Sequence, residues 1–392
     1  MVPDGTSPSS PPDDRHPAAA SGAARTAPAA RPRVRIAVLV PCCNEELSIA
    51  QVVRDFRAAL PQAIIYVYDN NSRDRTREAA AQAGAVPAGS PGRRSWLDTR
   101  VGAYVALTKP RIIELLLITT IPAMFAAQRQ VPSVGLLIAT LVGGTLAAGS
   151  ANALNCVVDA DIDAVMRRTR SRPLARHTVT PRAALVFGVL LGVLAAAVLL
   201  AFTTWQAAAL AVVAILFYVL VYSMWLKRRT SQNIVWGGLA GCMPVIIGWS
   251  AVTGDIGWPA WVFFGVIFFW TPPHTWALAM RYRADYAAAG VPMLPVVASE
   301  REVVRQIVLY SWAMVACSLL LIPASSWIYA AVAVPLGLWF LAMAHLLHTR
   351  VLRGAAAKPM TLFHLSNLYL TGISVAWAVD AAIGLPVVGW PG

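Results

Sequence analysis

Charged residues are scarce in this chain. Asp, Glu, Lys and Arg make up 13% of its 392 residues, while 57% are hydrophobic. A soluble domain carries charge on about 25% of its residues. So sparse a set cannot cover a water-facing surface, and lipid is the implied solvent. Acidic residues are the rarer sign, 19 against 32 basic, for a net charge of +13. A basic excess can line a phosphate groove. Here, past residue 100, it falls in short loops between apolar segments. That pattern orients a membrane protein, and it argues against nucleic acid as a partner. Cysteine is also rare. Cys42, Cys43, Cys156, Cys242 and Cys317 show no C-x-x-C spacing, so neither a disulfide framework nor a zinc site is implied. The last three read as small apolar residues in helices. At the N-terminus no positive stretch precedes an apolar core, so no signal peptide is expected.

What is present divides into four parts. Residues 1–34 are rich in Pro, Ala and Ser and read as a disordered tail. Residues 35–86 alternate strand and helix: "RIAVLVPCCNEE", "LSIAQVVRDFRAAL", "AIIYVYDNNS" and "DRTREAAAQAGA" give a β-α-β-α order. The stretches "VPCCNEE" and "YVYDNNSRDRT" resemble the opening of a family-2 glycosyltransferase. In that family an aspartate matched here by Asp69 contacts the nucleotide. The resemblance covers about fifty residues and stops before that family's D-x-D and catalytic base. Two strands and two helices make a poor core alone. A remnant, a fusion or a docking module are the readings for this fragment. Residues 87–100 read as a linker, and residues 101–392 as a membrane domain.

Nine apolar spans of bilayer-crossing length are expected, at 112–128, 134–157, 182–203, 206–226, 232–252, 258–281, 304–324, 326–348 and 362–385. Lys109 and Arg111 precede the first. The loop after the second holds Arg167, Arg168, Arg170, Arg172, Arg176 and Arg182. Lys227, Arg228 and Arg229 follow the fourth. Arg281, Arg283, Arg301 and Arg305 follow the sixth, and Arg350, Arg353 and Lys358 the eighth. The opposite side has Arg129 alone. This asymmetry places the N-terminus and the even-numbered loops in the cytoplasm of a multi-pass plasma-membrane protein. The expected fold class is therefore an all-α bundle of nine transmembrane helices, with a small α/β fragment near its N-terminus.

Polar residues then stand out. Asn155, Asp159 and Asp163 are four residues apart and share one helical face, whereas Asp161 points elsewhere. Oxygen ligands at this spacing suit Mg²⁺, which keeps positions for water and substrate phosphate. The nearby arginines suit phosphate oxygens. Together they make a recipe for a diphosphate held through magnesium. Simple pairing of the aspartates with arginines at a membrane face is the other reading. Acidic residues at a helix C-terminus oppose the macrodipole, which a bound cation would offset. A second cluster, "WTPPHTWALAMRYRADYAAAGVPMLPVV", carries His274, Arg281, Arg283 and Asp285. A third, "YSMWLKRRTSQN", adds Lys227, Arg228 and Asn233 on the same side.

The blocks "LTKPRIIELLLITT", "NCVVDADIDAVMRRTRSRPL", "LKRRTSQNIVWGGLAGCMPVIIGW", "WTPPHTWALAMRYRADYAAAGVPMLPVV" and "KPMTLFHLSNLYL" resemble the haem branch of the UbiA group of intramembrane prenyltransferases. The likeness runs in order from about residue 100 to the end. It implies transfer of farnesyl from farnesyl diphosphate to a vinyl group of haem b, giving haem O and diphosphate, with Mg²⁺ as cofactor. It further implies Asn155, Asp159, Asp163 and Asp285 as catalytic, metal-holding residues, and Arg167, Arg172, Lys227 and Arg228 as diphosphate donors. Ala284 stands where relatives often carry a second acidic residue beside Asp285. His274 reads either as an axial haem ligand or as a histidine bonded to backbone freed by Pro272 and Pro273. Trp270 and Trp276 either shield an allylic cation or serve packing. Partners implied are the lipid bilayer, haem A synthase and cytochrome oxidase assembly proteins. Two rivals stay open: a UbiA-type aromatic prenyltransferase of quinone biosynthesis, and a transporter.

Overall fold

The computed structural model describes residues 36–69, 72, 74–87 and 99–389. The expected tail 1–34 and most of the linker 87–100 lie outside these. The chain forms two compact units, Met1–Arg93 and Arg94–Gly392.

In the first unit, strands β1 (Ala37–Cys42), β2 (Ile64–Asp69) and β3 (Val86–Pro87) form a parallel sheet in the order β1-β2-β3. Ala37 pairs with Ile64 and Cys42 with Asp69. Helices α1 (Ile49–Ala59) and α2 (Thr76–Gln82) connect them. The two-residue strand β3 was not expected. Alternation along the strands sends Cys42, Ile65 and Val67 into a core with Ile49, Val53 and Ala80. Leu39, Ile64 and Tyr68, on the other face, are exposed.

The second unit is helical: α3 (Arg100–Thr108), α4 (Pro110–Gln128), α5 (Val134–Val158), α6 (Ala160–Val165), α7 (Pro181–Phe202) and α8 (Trp205–Leu216) come first. A π-helix (Phe217–Leu226), α9 (Lys227–Arg229), α10 (Asn233–Thr253), α11 (Trp258–Arg281), α12 (Arg283–Ala288) and α13 (Leu294–Val297) follow. Last come α14 (Glu300–Leu320), a 3₁₀ turn (Ile322–Ala324), α15 (Trp327–Leu352) and α16 (Pro359–Ile383).

Each expected span falls on one of these helices. Length and apolarity alone, however, qualify seven helices among the described residues, or eight if the bent pair Arg100–Glu114 and Leu116–Gln128 is one span. Helix α11 is not in that set, because its tryptophans, Pro272, Pro273 and His274 lower its hydropathy. The expected count of nine therefore exceeds what these criteria establish.

Start and stop signals are local. Ser133, Thr180, Thr204 and Ser299 each accept a backbone N–H at the start of α5, α7, α8 and α14. Gly254 and Gly384 end α10 and α16 in left-handed geometry. Small residues let helices approach. A Cβ on Gly143 would meet Leu199 at 2.5 Å, and one on Gly248 would meet the Thr120 carbonyl oxygen at 2.7 Å. Larger side chains, Phe263, Trp276, Tyr329, Phe340, Tyr369 and Trp377, fill the main core.

Gly144 has nothing within 4 Å of the place a Cβ would take. Gly248→Ala should therefore destabilise the purified protein by about 1–3 kcal/mol through overpacking, seen as a lower Tm in thermal melts. Gly144→Ala should leave Tm unchanged.

Candidate active site

The polar residues picked out from sequence gather where α5, α6, the π-helix and the loop before α7 meet. Helix α5 stops at Asp159, which sits at φ −94°, ψ 9°. The hydrogen-bond ladder nevertheless continues across the break. Asp159 N–H donates to the Asn155 carbonyl at 2.9 Å, and Asp163 N–H to the Asp159 carbonyl at 2.8 Å. Asn155, Asp159 and Asp163 hence share one buried face, as the four-residue spacing predicts. The Asp161 side chain is 65% exposed.

Each carboxylate has its own cation. The Lys227 ammonium pairs with Asp159 Oδ2. Arg172 Nη1 reaches both oxygens of Asp163 at 2.7 Å. Arg167 Nε donates to Asp285 Oδ1 at 2.9 Å, which joins the loop after α6 to α12. Arg228 forks onto Asp161 at 2.7 Å to each oxygen. It also donates to the Val158 carbonyl. Those bonds from Arg228 hold the Asp161 carboxyl down at about 2, below the ordinary carboxylate range. Arg228 is thus engaged on the exposed side, away from the buried face it was expected to serve. Asp159 Oδ1 is the exception: it is buried and has no hydrogen-bond partner. A buried carboxylate oxygen without a donor is costly, and this one is free to accept from a ligand or to meet a cation.

Two features were not anticipated. The first is Lys109, expected only as an orienting charge. It occupies a left-handed backbone conformation, φ 54°, ψ 64°, between α3 and α4. Such geometry costs a non-glycine residue on the order of 1–3 kcal/mol. The turn aims its ammonium at Asn155 Oδ1, 2.6 Å away. Asn155 Nδ2 then donates to Asp159 Oδ2 at 2.7 Å and Ser223 Oγ at 2.9 Å. Its amide orientation is fixed, since lysine can only donate. The Lys-Pro pair between two apolar runs was the readable signal.

The second is the π-helix, rare and often functional where it occurs. Its wider turn places Tyr218, Tyr222, Ser223 and Lys227 toward the same side. Ser223 Oγ closes the i−5 geometry by donating to the Tyr218 carbonyl at 2.8 Å. Nothing in composition or periodicity separates ten such residues from an α-helix.

Beside the polar group lie two apolar cavities, of about 150 and 260 Å³, that share Ile112, Leu116, Tyr218 and Gly241 in their walls. The first also reaches Asn152, Gly144 and Ala147. The second reaches Trp270, Thr271 and Tyr222. Trp276 lies elsewhere: it is wholly buried, edge-on to Tyr310. His274 is sandwiched between Trp270, ring centroids 4.1 Å apart, and Phe363 at 4.5 Å. Its Nδ1 contacts the Ser366 side chain rather than backbone. Of the other histidines, His345 accepts from Trp312 Nε1, and His177 is exposed.

Among the described residues no group of three His, Cys, Asp or Glu side chains could hold a metal ion by itself. Two carboxylates and an amide fall short of a complete cage, which is how Mg²⁺ is held where substrate phosphate completes its shell.

A cation-rich polar end joined to apolar cavities inside a membrane bundle suits an enzyme for amphiphiles with an anionic head. Comparison with known proteins narrows that class. The profile of the UbiA prenyltransferase family matches residues 116–368. Protoheme IX farnesyltransferase 2 of Saccharopolyspora erythraea is 64% identical over 74% of this chain and 89% of its own length. Protoheme IX farnesyltransferase of Nocardia farcinica is 59% identical over 76% of this chain and 96% of its own. Among solved structures, a digeranylgeranylglyceryl phosphate synthase aligns with TM-score 0.60 at 16% identity, covering 72% of this chain and 99% of that one. A UbiA homologue from Archaeoglobus fulgidus bound to DMAPP and Mg²⁺ aligns at 0.55, also 16% identical, over 72% and 99%. The chain belongs to the UbiA prenyltransferase family.

Breaking one buried pair leaves an uncompensated charge. Arg172→Met should lower stability by about 3–5 kcal/mol, and Asp163→Asn in the same chain should restore much of the loss. Thermal melts of the single and double variants check this. An additive loss would mean that the pair is not coupled.

Proposed function

We propose that this chain transfers a farnesyl group from farnesyl diphosphate to a vinyl group of haem b, giving haem O and diphosphate. Relatives about 60% identical carry the name protoheme IX farnesyltransferase. The observation that carries the reading is the unpartnered, buried Asp159 Oδ1 in a cationic cluster that the Asn155–Ser223–Tyr218 hydrogen bonds connect to the apolar cavities.

The residues that would hold magnesium are Asn155, Asp159 and Asp163 on one wall and Asp285 on the other. Bound there, Mg²⁺ would neutralise diphosphate charge as it develops. The chain itself supplies Lys109, Arg167, Arg172 and Lys227 around the same group. Arg172 and Lys227 are mostly withdrawn from water, and in such a site donors stabilise the leaving diphosphate far more than water would, while Arg167 reaches in from the exposed side. The allylic C–O bond breaks with its electron pair going to diphosphate. The vinyl carbon then forms the new C–C bond, and water adds at the neighbouring carbon and releases a proton.

The small-residue cavity past Tyr218 takes the prenyl chain, and Tyr218 offers a ring face beside the reacting carbon. The cavity walled by Trp270, beside His274, takes the haem edge. Loop charges support a plasma-membrane protein with this site on the cytoplasmic side.

Full-length protein supplied with haem b, farnesyl diphosphate and Mg²⁺ should form haem O, and should leave quinone precursors unmodified. Chelation of divalent metal should abolish turnover. Asp159→Asn and Asp163→Asn should each lose at least about 100-fold in rate, while Asp161→Asn stays within about threefold. Wild-type protein that forms no haem O would overturn the reading. Because a side chain at Gly144 projects into open space, Gly144→Leu should favour geranyl over farnesyl diphosphate in competition assays.

A further inference from the structure

His274 and Ser366 together fix a protonation state. The Ser366 hydroxyl lies 2.6 Å from the Phe363 carbonyl oxygen and 2.7 Å from His274 Nδ1. A serine hydroxyl has one proton, and a carbonyl oxygen only accepts. At 2.6 Å the proton must lie between the two oxygens, since otherwise their lone pairs would face each other. Ser366 Oγ can then only accept from His274. Nδ1 carries the imidazole proton, and the Nε2 lone pair is left free.

The surroundings hold this arrangement still. Trp270 and Phe363 clamp the two faces of the imidazole, at interplanar angles of 21° and 30°. Trp270 Nε1 donates to the Ser366 carbonyl oxygen at 2.7 Å, tying α11 to α16 beneath the ring. Ser366 itself is wholly buried, so water does not compete for its hydroxyl. Among the described residues no group bonds His274 Nε2. A metal-ligating imidazole needs the same pattern, with the far nitrogen protonated and held by an outer partner.

We propose that Ser366 is a positioning residue that locks His274 as the Nδ1–H tautomer and so presents Nε2 to a tetrapyrrole iron. The iron belongs to the acceptor substrate, so this proposal rests on the haem reading above for its occupant, but not for the tautomer itself.

The two parts separate experimentally. In haem-free, full-length protein labelled with ¹⁵N-histidine, the His274 signals, assigned by their loss in His274→Ala, should show a protonated Nδ1 and an unprotonated Nε2. The opposite tautomer overturns the proposal whatever the substrate is. Titration with ferric haem b should next give an imidazole-ligated spectrum. Ser366→Ala should raise the haem Kd at least about tenfold, the usual cost of removing an outer partner of a metal-bound histidine. Ser366→Thr should restore it, since a misfolded variant has no route to rescue by a hydroxyl. His274→Ala should lose the ligand signature and recover it with added imidazole. Wild-type affinity in Ser366→Ala, with the signature lost in His274→Ala, overturns the positioning role and leaves His274 as ligand. An unchanged spectrum in His274→Ala overturns axial ligation and with it the iron-facing part of the proposal.

Discussion

A carboxylate buried in an apolar bundle has to be met by a cation or by hydrogen-bond donors, or be protonated, because its desolvation is not otherwise recovered. Asp159, Asp163 and Asp285 are buried and each is met, by Lys227, Arg172 and Arg167 respectively. These pairs join the break after α5, the loop before α7, the end of the π-helix and α12. The polar end of the bundle is therefore built as one electrostatic unit. Loss of Lys227 or Arg172 leaves Asp159 or Asp163 stranded in a medium where pairing is strong and hydration weak, whereas Arg167 reaches Asp285 from the exposed side.

The backbone departs from regular helix where this unit demands it. Lys109 turns left-handed to reach Asn155. The π-helix widens to bring Ser223 and Lys227 onto the side of Asn155 and Asp159. Helix α5 pauses at Asp159 without losing the ladder that aligns Asp163. Irregular backbone at membrane depth is tolerated only where protein or a cavity satisfies it. All three departures lie around the polar cluster, beside the apolar cavities. A leaving anion and a hydrocarbon chain need opposite surroundings within a few ångströms, and this junction supplies both.

Much of that was legible. The Asn155, Asp159, Asp163 face follows from helical period alone, and so does the exclusion of Asp161. His274 stood out for its prolines and its place in a polar block. Other points were not legible. The resemblance implies Arg228 as a diphosphate donor, whereas in the structure its fork closes on Asp161. Trp270 and Trp276 were indistinguishable in sequence. Of the two, Trp270 lines the cavity beside Tyr222 while Trp276 packs on Tyr310, because six residues turn a helix too far for both to face one way.

The sequence by itself determined the membrane bundle and the spacing of its acidic face. These depend on composition and on periods of a few residues, which local physics sets. Which cation meets which carboxylate, the left-handed Lys109, the π-helix and the serine that orients His274 were decided only by tertiary structure. Most of these contacts join residues far apart in the chain, as Ser366 does His274. Such contacts are chosen by how the helices stack, and no local pattern records that choice.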